Sequence, residues 1–302
     1  MSPASESELR RSYAACEAIT RREAANFYHG LRLTPAPERD GLFALYAWMR
    51  EADDLVDADT AGDTATREAA LERFGLQTEQ ALGGETPQGH QIWPAFVDAA
   101  ARWRLPAEPF RDMLAGQRQD LALASLPDWP ALREFCRRVA STVGVLCVRV
   151  WGLDDPSDLA LAESRGIAFQ LTNILRDLRE DHDRGRVYLP QDELQAAGLS
   201  IEDILAWREP ARCAAFITAQ ARRAREHYRA SESLDSRLRP ELRPTLWAMT
   251  RIYSGILERI EHDPALVAAR RRVGLSTFRK VCIAVEAKRL GRRWAKSPAT
   301  AS

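Results

Sequence analysis

Along most of the chain, apolar side chains recur every three to four residues, the spacing of one helix face, in blocks set apart by glycine and proline. These blocks predict helices over 7–30, 37–57, 66–83, 91–103, 108–124, 129–151, 157–180, 201–206, 211–231, 239–262 and 276–290. Breaks fall at 34–37, 58–64, 83–90, 106–109 and 152–157, and across the long stretch 183–210. No block alternates apolar and polar residues for more than a few positions, so no sheet is expected. None of the breaks is a long Pro/Ser/Gly linker, and neither a repeat nor a low-complexity tract is present. The pattern reads as one all-α domain over 1–302, with a core at about 20–285 and a basic C-terminal tail at 286–302.

Composition narrows the class. In a chain of 302 residues, 45% hydrophobic and 28% charged residues are ordinary values for a soluble protein with a sizeable core. Lys and Arg total 43 and so do Asp and Glu, which removes the overall positive field of a nucleic-acid binder; no nucleic-acid partner is expected. The five cysteines (Cys16, Cys136, Cys147, Cys213 and Cys282) are odd in number and widely spaced, and read as buried thiols in a reducing cytoplasm. The polar N-terminus carries no signal-peptide pattern, and the longest uncharged apolar run, 139–148, is half the length of a membrane span. A cytoplasmic, non-integral protein is therefore expected. Lys288, Arg289, Arg292, Arg293, Trp294 and Lys296 make the tail either a peripheral contact for an anionic membrane surface or a solvated, frayed end.

Two acidic stripes bring in chemistry. Tyr46, Arg50, Asp53 and Asp57 step by four, three and four residues, which stacks them on one helix face. Gln170, Asn173, Asp177 and Asp181 step by three, four and four, with Ile167, Leu171, Ile174, Leu175 and Leu178 behind them. Either stripe alone is also compatible with a solvated acidic helix end. Together, an all-oxygen donor set without His or Cys suits Mg²⁺ or Mn²⁺ and, through the metal, a diphosphate. Arg50, Arg176, Arg184 and Arg186 lie within a turn or two and supply cations for such a leaving group, or pair with the neighbouring acids.

The first stripe resembles the D-x-x-x-D motif of the squalene/phytoene synthase family. The segment from Gln170 to Pro190 matches that family's Q-x-x-N-I-L-R-D-x-x-E-D-x-x-R-G-R-x-Y-L-P signature. Weaker similarity runs from about Phe27 through Tyr253 to the region 270–276. The resemblance implies an all-α isoprenoid-synthase helical bundle with a central cavity, and Mg²⁺-dependent head-to-head (1′-1) condensation of two prenyl diphosphates. It implies Asp53, Asp57, Asn173, Asp177 and Asp181 as metal ligands. Arg50, Arg176, Arg186, Tyr188 and Tyr253 would contact diphosphate, and Phe27, Tyr46 and Gln170 would line the reacting centre. The chain departs from the family pattern at Glu23, Ala25 and Asn26, where many members carry basic residues and a serine before the phenylalanine.

Related chemistries fit less well. Head-to-tail elongases carry D-D-x-x-D twice, and class I terpene cyclases carry an N-x-x-x-S-x-x-x-E motif where this chain has Asp177 and Asp181. A catalytically dead binding module of the same fold would be expected to have lost some of the five ligands. Within the family, the segments 27–30 and 45–50 resemble bacterial enzymes that make presqualene diphosphate or squalene from farnesyl diphosphate. The segment 188–200 also resembles phytoene synthases acting on geranylgeranyl diphosphate. From sequence alone the farnesyl reading is placed first and phytoene synthase second. NADPH is not expected, since the reducing members known to complete squalene in one polypeptide tend to be longer and membrane-anchored.

Overall fold

The computed structural model describes residues 5–23, 27–56 and 63–294. The first predicted helix, 7–30, is helical on both sides of residues 24–26, which lie outside the description: α1 covers Glu6–Glu23 and the short α2 covers Phe27–Leu31. In α1 the buried positions include Cys16 and Ile19. Tyr28 of α2 is buried, with its ring stacked on Phe43. The helices α3 (Glu38–Val56), α4 (Thr64–Leu82), α5 (Trp93–Arg102) and α6 (Glu108–Leu121) then follow close to their predicted places.

The predicted helix 129–151 is α7 (Trp129–Cys136) and α8 (Thr142–Val150), joined by a π-helical turn at Arg137–Ser141. Next comes α9, Pro156–Asp183, 28 residues long. The stretch 183–210, read from sequence as a break with one short helix, holds α10 (Gln191–Ala196) and α11 (Ile201–Ala206). The chain ends with α12 (Pro210–Ala230), α13 (Leu234–Arg237), α14 (Arg243–His262) and α15 (Thr277–Trp294). Starts are marked locally. Asp63, Asp128 and Asp155 each accept a hydrogen bond from a backbone N–H of the first turn of α4, α7 and α9, and Pro130, Pro156, Pro210 and Pro244 stand at first-turn positions where no N–H is needed.

The expectation of no sheet is corrected. Ser125–Leu126 (β1) pairs in parallel with Val187–Pro190 (β2). Pieces of two and four residues are too short to show a period of two, which is why the sequence pattern passed over them. This strap ties the chain after α6 to the chain after α9.

Two adjoining clusters of buried side chains make the core. One is aromatic: Trp48 of α3 lies against Phe74, Phe96 and Phe110 at 5.7, 5.9 and 4.8 Å between ring centres, and its indole N–H donates to Thr78 Oγ1 at 2.9 Å. The other is built on α9, α12 and α14. Helix α9 packs against α8, α12, α14 and the π-turn. Contact with the π-turn is close because residue 166 is glycine: a Cβ there would lie 2.5 Å from Ser141 Cα.

Candidate active site

Between α3, α6, α8 and α9 lies a cavity of about 440 Å³, within the usual size of ligand pockets. One part of its wall is apolar, including Leu42, Leu45, Val148, Phe169 and Leu246; the other is polar, with Tyr46, Arg50 and Asp53 from α3 and Gln170, Asn173, Asp177 and Asp181 from α9. The two stripes read from the sequence therefore line one space. Asp57 lies outside the described residues. Phe27 opens α2, and its side chain is likewise outside the description.

Helix α6 adds a wall that spacing along the other two helices did not reveal. Gln117 Nε2 donates to Asp53, and Asp120 lines the cavity beside it. Tyr188 donates to Asp120 Oδ1 at 2.7 Å and stacks on Phe135, and Arg186 Nη1 is 3.0 Å from Asp120 Oδ2. Gly185 makes this return possible. Its φ of 78° is a left-handed conformation open to glycine, and it turns the chain off the end of α9 so that Arg186 and Tyr188 come back to the site. The R-G-R-x-Y run was visible in sequence; the carboxylate it grips was not, because 68 residues separate Tyr188 from Asp120.

The α9 stripe divides into groups with and without local partners. Asp177 is held twice. Arg176 donates to it at 2.8 and 2.5 Å, and Arg272, from the segment before α15, donates through Nη2 at 2.5 Å and also through Nε. Burial pushes the Asp177 carboxyl up, but the hydrogen bonds and charges of the two guanidinium groups outweigh it and leave Asp177 below the usual carboxylate range. Asp181 goes the other way. Burial first, then the negative charges of Asp177, Glu180 and Asp120, push it up to about 7, with Arg186 opposing. Asn173 donates from Nδ2 to Gln170 Oε1 at 3.3 Å, while its own Oδ1 is buried with no hydrogen-bond partner among the described residues.

The arginines pair with acids. Arg50 bonds Asp54, which is on α3 but off the cavity-facing stripe; Arg184 Nη2 lies 3.3 Å from Glu180 Oε1 and also borders the cavity. Arg176 is 9% exposed and lies over the Tyr253 ring at 5.9 Å, and Tyr253 packs on Phe169 at 4.8 Å between ring centres. The structure thus places Tyr253 one layer behind the cavity surface, supporting Arg176. Burial raises the Tyr46 hydroxyl well above the usual phenol range, with Arg50 opposing and Asp53 and Glu23 adding to the rise. His182, a diphosphate candidate by position alone, faces Glu202 at 3.5 Å.

Sequence reasoning missed Gln117, Asp120 and Arg272 as site residues. Arg272 belongs to the run 270–272 noted for family similarity, which was its only signal. The expectation of buried thiols also needs correction: Cys16, Cys136 and Cys213 are buried, Cys147 is half-buried at the cavity and Cys282 is exposed, because α15 turns that position outward.

The donor set fits a hard divalent cation. A buried amide oxygen with no hydrogen-bond partner among the described residues and a carboxyl raised by burial and like charge are groups that a cation would satisfy, and Asp177 already draws cationic partners. Among the described residues no three Asp, Glu, His or Cys side chains converge closely enough to hold an ion unaided. Mg²⁺ commonly completes its shell with water and substrate phosphate.

An all-α bundle with a half-polar, half-apolar cavity and two oxygen-rich stripes defines an isoprenoid-synthase fold. The family model for squalene/phytoene synthase matches residues 20–279, and the chain belongs to that family of head-to-head prenyltransferases. Among its relatives, a 15-cis-phytoene synthase from Synechococcus elongatus is 37% identical over 288 residues, covering 91% of each chain. A phytoene synthase from Mycobacterium tuberculosis is 37% identical over 287 residues, covering 93% of this chain and 91% of the relative. Among solved structures, a squalene synthase from Alicyclobacillus acidocaldarius superposes with a TM-score of 0.78 at 29% identity, over 85% of this chain and 96% of that one. A dehydrosqualene synthase in complex with ligand superposes at 0.82 and 27% identity, over 95% and 99%.

Proposed function

We propose that this prenyltransferase condenses two molecules of geranylgeranyl diphosphate head to head to phytoene, with Mg²⁺ and without NADPH. The observation that carries the choice is the likeness to phytoene synthases at 37% identity over more than nine-tenths of the chain, higher than the 29% and 27% to the squalene and dehydrosqualene synthases of known structure. It reverses the order in which the short segments 27–30 and 45–50 placed the two substrates.

Asp53, Asn173 and Asp181, with Asp57 and Asp177, would hold the metal. When bound, Mg²⁺ neutralises charge on a departing diphosphate and so eases ionisation of the allylic C–O bond. Arg272 is the group that gives way at Asp177: its side chain is 55% exposed, against 9% for Arg176. The displaced guanidinium and Arg184 then serve the diphosphate as bidentate donors. Asp120 holds Arg186 and Tyr188 in place beside the leaving group. As the C–O bond breaks, C1 of the first substrate becomes cationic. The C2=C3 electron pair of the second substrate attacks it, and loss of a proton closes a cyclopropane that still carries the second diphosphate; departure of that diphosphate, opening of the ring to a 1–1′ bond and loss of a second proton give phytoene, with no hydride required. Apolar walls exclude water from that cation, and the face of Tyr46 stabilises it by up to about 2 kcal/mol. The departed diphosphate is the base, since neither stripe contains a histidine.

Product analysis by mass spectrometry, with each diphosphate offered separately with Mg²⁺ and no NADPH, tests this reading. Phytoene from geranylgeranyl diphosphate is expected. Turnover of farnesyl diphosphate alone, to a cyclopropyl or thirty-carbon product, overturns it and restores the farnesyl reading.

A further inference from the structure

Among the described residues four large hydrophobic side chains stand exposed, and three of them are on one helix: Phe278, Val281 and Val285 of α15, at 78, 55 and 44%. At about 100° per residue these three share an arc of roughly 60°, and the exposed Cys282 borders it. The opposite face of α15 carries Ile283 and Ala287, which are buried where the helix packs on α14. The helix is therefore apolar on both sides in its first half, and among the described residues one side has no partner.

The second half of the outer face is cationic. Arg289 and Arg292 continue the line of Phe278 and Val285, with Lys288 and Arg293 at its edges, and all four are exposed. Over its whole length α15 bears Arg279, Lys280, Lys288, Arg289, Arg292 and Arg293 against the single acid Glu286, in a chain whose net charge is zero. No helix among the described residues is long and apolar enough to cross a membrane.

We propose that this face of α15 docks the protein on an anionic lipid bilayer, with Phe278, Val281 and Val285 in the headgroup–acyl boundary and Lys288, Arg289, Arg292 and Arg293 on anionic headgroups. Charge complementarity selects this occupant. Two copies meeting in parallel through the face would set four cations against four. Meeting antiparallel, they would press each cationic half onto the other's apolar half and leave the charges without partners. A bilayer surface accepts both halves in one plane. The segment before α15 carries Arg272 to Asp177, so the docking helix is joined directly to the polar end of the cavity.

The test is co-sedimentation of the full chain with phosphatidylcholine vesicles, with and without phosphatidylglycerol; it needs no substrate, so its outcome is separate from that of the product assay. Binding to the anionic vesicles alone is expected, weakening as salt rises. The variant Phe278→Ser/Val281→Ser/Val285→Ser should bind at least tenfold more weakly, about 1.4 kcal/mol. The variant Lys288→Gln/Arg289→Gln/Arg292→Gln/Arg293→Gln should do so as well, both with unchanged thermal unfolding. An environment-sensitive dye on Cys282 should shift to the blue on binding. Absence of binding to anionic vesicles overturns the proposal, as does equal binding to neutral ones. So does a solution dimer that the serine variant converts to monomer while no vesicle binding is found, which would give the face to a second copy.

Discussion

Asp53 and Asp54 are neighbouring carboxylates with different surroundings. Asp53 faces the cavity and accepts from Gln117, whereas Asp54 is turned about 100° around α3 and pairs with Arg50 at a site 41% exposed. Exposed pairs of this kind contribute little, while a group acting on the developing leaving-group charge affects the barrier itself. Asp53→Ala is expected to lower kcat by about 10²- to 10³-fold with the fold intact, and Asp54→Asn by less than about tenfold. Steady-state kinetics beside thermal unfolding checks both, and equal damage at equal stability would refute the assignment of the stripe. At this scale the sequence already separated the two, because helical spacing decides which residues share a face. It did not show that Asp120 receives Tyr188 and Arg186 or that Arg272 reaches Asp177, 95 residues away. Those pairings join separate elements, and no period along the chain encodes them.

Helix α9 carries the four residues of the second stripe, so its position decides whether the two stripes face each other. Gly166 sets that position: its missing side chain lets the Ser141 backbone come within the space a methyl would fill. Gly166→Ala must push α9 from the π-turn or distort the turn, at a cost of about 1–3 kcal/mol, the range for overpacking a buried contact. Chemical denaturation should show that loss, and kcat should fall further than stability alone explains because Asn173 and Asp177 move with the helix. An unchanged midpoint and unchanged kcat would show that the contact relaxes freely. Most elements were legible from periodicity, caps and prolines. The π-turn inside 129–151 and the short parallel strap were not. Each depends on a partner distant in the chain: the π-turn lies against Gly166, and the strap pairs 125–126 with 187–190.

As a whole, the molecule brings like charges together in a partly buried space, and that arrangement asks for cations. Asp181 is pushed up to about 7 there, and Asp177 is held by two guanidinium groups. Activity is therefore expected to vanish in excess EDTA and to return with added Mg²⁺; turnover that persists in the chelator would remove the metal from the reaction. The same view explains why substrate length was the weakest inference from sequence. Length depends on the depth of a cavity whose wall draws on residues as far apart as Leu42 and Leu246, and motifs around the diphosphate say nothing about it.

What the sequence determined by itself was whatever repeats along one helix: the all-α class, most helix positions, the two stripes, and a family signature dense enough to name the chemistry. Only the tertiary structure decided which stripe residue meets which partner, that α6 supplies a third wall, and that one face of α15 stays uncovered. Facing and depth are relations between elements distant in the chain. They are settled by how the elements pack, through contacts such as Gly166 on Ser141, and not by the order of residues within any one of them.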